Sequence, residues 1–398
     1  ARFGLAERLA ALDRLARVVR QNERAIVTAL QADLGRPEVE AILMDYLNIL
    51  QEIRHARRHL RRWMKPRRVL PTLATFGASA WVEQQPRGTC LIIAPWNLPF
   101  HLALGPLASC LAAGNAAIVK PSELTPASSA LIARMIAETF PPDLVAVVDG
   151  DKAVAEDLLT LPFDHIFFTG SPAVAKIVMA AAARTLASVT LELGGKSPVI
   201  VGPGANMTQA VDWITFGKFL NAGQNCISPD HLYVHAAVKD GFLTALRARI
   251  ARAYGSGEVS RNLSRIVTPA HAARLSSLIA DAVAKGAAPI LAQGQDGQSF
   301  GPHLLEGIRP DMRLAQEEIF GPILPVIAYD RIDTVIDAIN ARDKPLALYI
   351  FDSDAARVAD ITLRTTSGAV GINLTLLHYS HLNLPFGGIN TSGIGAAH

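Results

Sequence analysis

From Leu5 to Lys65 apolar residues recur every three or four positions, the period of helices that bury one face. Pro66 to Pro86 breaks that rhythm: it is rich in Pro, Thr and aromatic residues and reads as an extended connection or hairpin. Beyond Gly88 short apolar runs alternate with amphipathic stretches. They predict strands at Cys90–Ala94, Ala117–Lys120, Val145–Asp149 and His165–Thr169, and helices near Leu102–Leu111, Pro126–Phe140 and Val174–Arg184. The run from Leu102 to Val119 is almost long enough to span a bilayer, but Gly105, Pro106, Gly114 and Asn115 divide it into helix, turn and strand.

Such alternation implies a parallel, doubly wound sheet with ligand sites at the carboxyl ends of its strands. A second series from Pro198 to Asn373, with strands such as Leu232–His235, Leu324–Ala328 and Leu346–Phe351, repeats the scheme. The fold class is therefore α/β, in two units with a cleft between them. A chain of 398 residues has the length for that, and 50% apolar against 18% charged residues excludes a disordered or fibrous protein.

Charge narrows the partners. A net +3 is too small to imply nucleic acid. The positives concentrate at Arg54, Arg57, Arg58, Arg61, Arg62, Lys65, Arg67 and Arg68, but Leu60, Trp63 and Met64 among them repeat at helical spacing, so the cluster reads as a solvated helix face. The first twenty or so residues mix acids with arginines, unlike a secretory leader, and a cytoplasmic setting is expected. Cys90, Cys110 and Cys226 form no CxxC pair, which speaks for neither a disulfide framework nor a metal cluster. His55 and His59 lack the glutamate of a HExxH site, and no metal is expected. Gly194-Gly195-Lys196-Ser197 imitates the end of a phosphate-binding loop, but Thr190 stands where its first glycine belongs.

Cys226 lies in a polar Asn-Gly-Gln-Asn context, whereas Cys90 falls in a strand and Cys110 in an apolar helix, where inert buried thiols belong. Three stretches then carry a resemblance: Leu191-Glu192-Leu193-Gly194-Gly195-Lys196-Ser197-Pro198, Asn221-Ala222-Gly223-Gln224-Asn225-Cys226, and Ala94-Pro95-Trp96-Asn97-Leu98-Pro99-Phe100. They resemble the glutamate, cysteine and asparagine motifs of the aldehyde dehydrogenase superfamily, with the interval from Glu192 to Cys226 that the family shows. Lys120-Pro121-Ser122-Glu123, Gln316-Glu317-Glu318-Ile319-Phe320-Gly321-Pro322 and Leu384-Pro385-Phe386-Gly387-Gly388 extend the likeness over nearly the whole chain. Phe163 to Gly170, Lys344 to Tyr349 and Leu376-Leu377-His378-Tyr379 look like the class 3 and coniferyl aldehyde dehydrogenase branch.

The resemblance implies two Rossmann-like domains and a small β bridging arm used in oligomerisation: residues 1–67 and 87–193 for NAD(P), 68–86 for the bridging hairpin and 194–391 for the catalytic thiol. It implies Cys226 as nucleophile, a thiolate being able both to attack an aldehyde and to leave. Asn97 and the Cys226 amide would steady the oxyanion, and Glu192 would activate water for thioester hydrolysis. Lys120 and Glu123 would hold the adenosine ribose, Gly170 and Ser171 the pyrophosphate, and Trp96, Gly194, Glu318 and Phe320 the nicotinamide end. NAD is the implied cofactor, NADP being open; the product is a free acid, the substrate an aromatic or medium-chain aldehyde met by Met44, Leu98 and Leu220.

Two departures bear on these expectations. Gly170-Ser171-Pro172-Ala173-Val174-Ala175 lacks the threonine hydroxyl and final glycine of the family's pyrophosphate turn, which puts cofactor affinity in question. Residues 392–398 read as the start of a tail cut short, so a homodimer with a weakened hairpin contact is expected. The alternatives are a non-catalytic nucleotide-binding or structural protein on the same fold, and a semialdehyde dehydrogenase that passes its acyl group to coenzyme A.

Overall fold

The computed structural model describes residues 3–257 and 262–397. Three long helices open it: Leu5–Gln21, Glu23–Leu34 and Leu47–Trp63. The first buries Leu12, Leu15 and Val19, each contributing about 1.5–3 kcal/mol. The second ends at Gly35 in the left-handed conformation (φ 56°), where a Cβ would also run into Arg265. Before the third helix, Ile42–Tyr46 forms a π-helical turn whose extra residue shifts the faces of the segments on either side of it. The helix Leu47–Trp63 buries Ile49, Ile53 and Leu60 and turns Arg54, Arg57, Arg58, Arg61 and Arg62 to solvent. Trp63 departs from the expected buried stripe: it is 41% exposed and stacks on His59 at 5.6 Å.

Arg67–Val69 (β1) and Ala80–Val82 (β2) pair antiparallel as a hairpin whose side chains are all exposed. Then follow β3 (Thr89–Ile93), β4 (Ala116–Lys120), β5 (Val145–Val147), β6 (His165–Thr169) and β7 (Ser188–Glu192). The helix His101–Ala113 between β3 and β4, expected near Leu102–Leu111, contains Gly105 and Pro106 and ends at Gly114. Burial of Ala103, Leu104, Leu107 and Leu111 outweighs the one backbone bond that Pro106 cannot donate. Asp45 Oδ1 accepts from the Phe100 and His101 amides at 3.1 and 2.8 Å, a cap supplied from the π-helical turn.

The second unit contains β8 (Pro198–Val201), β9 (His231–His235), β10 (Ala288–Ala292), the small pair β11 (Gln295–Asp296) and β12 (Ser299–Phe300), β13 (His303–Glu306), β14 (Ile323–Tyr329), β15 (Ala347–Phe351) and β16 (Ala369–Ile372). Its strand order is β10-β13-β14-β9-β8-β15-β16, all parallel except the β10 edge. The first sheet has the order β5-β4-β3-β6-β7, all parallel, and β17 (Gly393–Ile394) adds to β7 from the far end of the chain. Order reverses between β3 and β6, so a crevice opens beyond their carboxyl ends. The stretch Leu193 to Ser197 carries the chain from one sheet to the other, and Glu192 sits at the last position before that crossing. Among the described residues no helix is long and apolar enough to cross a membrane.

Candidate active site

Cys226 follows a turn that most sequences would avoid. Asn221 and Ala222 both have φ 53°, a left-handed backbone that costs about 1–2 kcal/mol per residue for side chains with a Cβ. Gly223 continues the turn at φ 72°, where a Cβ would strike the Gly321 carbonyl. Hydrogen bonds hold the strain in place. The Asn221 amide donates to Glu40 Oε2 at 2.9 Å, its side chain donates to the Asn97 and Gln224 carbonyls at 3.0 Å each, and Gln224 is tied to Arg265 and Val267. Beneath lies a fully buried Arg36, whose guanidinium donates to Asp45, to the Asn97 carbonyl and, at 2.8 Å, to Asn221 Oδ1.

The Cys226 thiol is half-buried, 3.7 Å from Asn225 Oδ1, and lines an apolar cavity of about 230 Å³. Burial, then the charges of Glu318 and Glu192, push it up to about 12. Glu192 lines the same cavity. It is 5% exposed, neither carboxylate oxygen has a partner among the described residues, and burial raises it to about 8. A thiol and an unpaired basic carboxylate thus face one water-poor space. Met44, Leu98 and Leu220 line it too. Asn97 stands behind this wall, its side-chain amide donating to the Gln224 carbonyl at 3.1 Å, one residue from the Asn225–Cys226 step.

A neighbouring cleft brings together Pro172, Gly194, Gly195, Lys196 and Glu318. Glu318 Oε1 accepts from the Gly195 amide at 3.1 Å, and a Cβ on Gly194 would come within 2.5 Å of that oxygen. Burial raises Glu318 to about 7. Phe320, at φ 52°, sets its ring edge-on to Trp96 at 5.4 Å. Ser171 caps the helix Pro172–Thr185 by accepting from the Val174 amide at 3.4 Å, and Pro172 occupies the first turn, where no donor is needed. Ala175 packs its methyl into the core, so the turn keeps its helical start. The Gly170 amide donates to the Glu192 carbonyl at 3.0 Å, coupling that turn to the end of β7. Lys120, buried at the end of β4, reaches the half-exposed Glu123 at 3.2 Å; this pair lines neither the thiol cavity nor the cleft.

Comparison with known proteins gives this arrangement its place. The model of the aldehyde dehydrogenase family matches residues 1–398. The chain belongs to the aldehyde dehydrogenase family. It is 42% identical over 391 residues to the 4,4'-diaponeurosporen-aldehyde dehydrogenase of Staphylococcus aureus, covering 97% of this chain and 84% of that one. Coniferyl aldehyde dehydrogenase of a Pseudomonas species is 40% identical over 399 residues, covering 98% and 82%. The solved substrate-bound state of Staphylococcus aureus AldH superposes with a TM-score of 0.96 at 41% identity, covering 99% of this chain and 86% of that chain. Other solved neighbours carry NADP. The protein is an NAD(P)-dependent aldehyde dehydrogenase.

Two parts of this dehydrogenase site escaped the sequence reading. One is the Arg36–Asp45–Asn221 network; an arginine just after the helix-ending Gly35 gives no local sign that it will be buried. The other is a polar cluster in the thiol cavity, Glu52, His101 and Tyr379, whose members lie far apart in the chain. Lys196, set aside as a false phosphate ligand, is a strut of the dehydrogenase: its amine donates to Asp230 at 2.6 Å and to the Glu317 carbonyl at 2.7 Å, anchoring the Glu318 loop.

Proposed function

We propose that Cys226 is the nucleophile of this aldehyde dehydrogenase, Glu192 the base that hydrolyses its thioester, and Asn97 the oxyanion donor. The observation that carries the reading is the pairing of the Cys226 thiol with the unpartnered Glu192 carboxylate in one apolar cavity. The Cys226 thiol releases its proton to solvent, and as Sγ bonds to the aldehyde carbon the carbonyl oxygen takes the π electron pair. The second N–H of Asn97, not used on Gln224, and the Cys226 amide steady that oxyanion. A bound nicotinamide supplies the two-electron acceptor through which the Cys226 thiohemiacetal becomes a thioester. Glu192 then takes a proton from water, the hydroxide adds to the acyl carbon, and the C–S bond breaks to release the acid and restore the thiol.

The residues fit the cofactor. A 14-residue helix presents its capped N-terminus, with Gly170 and Ser171, beside the cleft that Glu318 shares, and Gly194 has no Cβ to displace the Glu318 carboxylate there. Trp96 and Phe320 would flank the nicotinamide, while Lys120 and Glu123 would take the ribose. On this reading residues 1–67 and 87–193 form the cofactor unit, 68–86 the bridging arm and 194–391 the thiol unit.

Assembly as a homodimer is part of the same proposal, supported by the hairpin's apolar tip: Leu70, Leu73 and Phe76 are at least 88% exposed. A cytoplasmic, reducing setting suits an enzyme whose three cysteines are all free thiols.

Rapid-mixing kinetics tests the roles. Glu192→Gln should give a burst of reduced cofactor equal to the enzyme, then a steady rate about 10²–10⁴-fold slower than the parent; Cys226→Ala should give no burst while still binding NAD. A parental steady rate in Glu192→Gln, or turnover by Cys226→Ala, would refute the assignment.

A further inference from the structure

The largely apolar cavity that holds Cys226 and Glu192 contains a second carboxylate, Glu52, set in a cluster of polar side chains. Glu52 comes from the helix Leu47–Trp63, His101 from the first turn of the helix His101–Ala113, and Tyr379 from the loop after β16; all three line the cavity. His101 Nε2 lies 2.8 Å from Glu52 Oε1, the Tyr379 hydroxyl 3.0 Å from the same oxygen, and the hydroxyl 2.9 Å from Nε2. The two rings meet edge-on at 5.2 Å. One carboxylate oxygen is therefore saturated and oriented by two donors. The other, Oε2, takes no hydrogen bond from the described residues, and the Glu52 side chain keeps 13% of its surface open against 1% for His101.

The fold makes room for this carboxylate at some expense. Gly105 stands in the middle of the helix opposite it, where a Cβ would collide with Glu52 Oε2, and glycine there costs about 1 kcal/mol against alanine. Asp45 fixes the His101 backbone amide at 2.8 Å, and the buried His101 Nδ1 has no partner among the described residues. A buried polar cluster with an unpaired member is a stability loss unless it serves a purpose. An oriented acceptor in an apolar cavity suits one ligand group above others: a neutral hydroxyl that donates a hydrogen bond. A carboxylate on the ligand would be repelled, and a bare hydrocarbon would leave Oε2 desolvated and unpaired.

We propose that Glu52, positioned by His101 and Tyr379, is a specificity-determining residue that accepts a hydrogen bond from a hydroxyl on the body of the aldehyde substrate. This rests on the assignment of that cavity to the aldehyde. The enzyme then selects hydroxylated aldehydes over their deoxy counterparts, and Oε2 is the atom that distinguishes them.

Two matched pairs test it, 4-hydroxybenzaldehyde against benzaldehyde and 6-hydroxyhexanal against hexanal, with kcat and KM measured separately for each. The parent enzyme should favour the hydroxylated member of at least one pair by about tenfold or more in kcat/KM, chiefly through KM. Glu52→Leu should bring that ratio to about one, and Tyr379→Phe, which removes one of the donors orienting Oε1, should lower it partway. Equilibrium binding of the same pairs to Cys226→Ala protein reads the preference without turnover, so it stands or falls apart from the roles given to Cys226 and Glu192. No preference in either pair, or a preference that survives Glu52→Leu, overturns the proposal.

Discussion

The Gly195 amide donates to the Glu318 carboxylate at 3.1 Å, which fixes an acid beside the cleft where its charge opposes ionisation of Cys226. Among the charged groups acting on the thiol, Glu318 has the largest effect. Glu318→Gln should therefore lower the thiol's ionisation range and speed its alkylation by iodoacetamide at pH 8, by about threefold or more. Peptide mass analysis of Cys226 over time measures this. Slower alkylation in the variant would contradict the electrostatic account.

The role proposed for Glu192 carries a pH dependence of acid release. A general base works ionised, and burial raises this carboxyl to about 8, so the working fraction grows as pH rises towards that value and then levels. Decay of the acyl-enzyme, followed in single-turnover mixing, should climb about tenfold per pH unit below the turning point. A flat profile between pH 6 and 8 would mean that the carboxylate is already ionised there.

Arg36 carries a structural load on which the site depends. Its fully buried guanidinium compensates Asp45 and holds the Asn97 carbonyl, so Arg36→Met would leave a buried carboxylate with no counter-ion. The expected loss is about 3–5 kcal/mol in urea unfolding. Oxidation should fall as well, because the backbone beneath Asn97 loses its anchor. A change under about 1 kcal/mol would show that the pair is dispensable.

At the hairpin, Leu73→Glu with Phe76→Glu places charge on side chains that are 95% and 88% exposed. Sedimentation velocity should show the parent as dimers and the double variant as single chains. Dimers that persist unchanged would place the contact elsewhere on the surface.

Much of this was legible in the chain because the relevant forces are local. Short apolar runs place β3, β4 and β6 and period-three-to-four patterns the helices between them, and the polar context of Cys226 set it apart from Cys90 and Cys110. What stayed hidden depends on partners far away in sequence. Asp45 caps the helix that begins at His101, a role no neighbouring residue betrays. Trp63 fits an apolar stripe by spacing, yet its ring finds His59 on the surface instead of the core. Glu52, His101 and Tyr379 are single polar residues in three separate contexts, and only tertiary folding makes them one cluster.

The pairing of β17 with β7 sets Gly393 opposite Glu192, while the Leu193 amide donates to the Ser392 carbonyl at 3.2 Å. Glu192 is thus flanked on one side by β6 and on the other by β17, some two hundred residues further along the chain. The two halves are laced rather than strung in series. Neither half of this chain can be grafted onto a foreign partner, or expressed as a separate fragment, without stripping Glu192 of a neighbour.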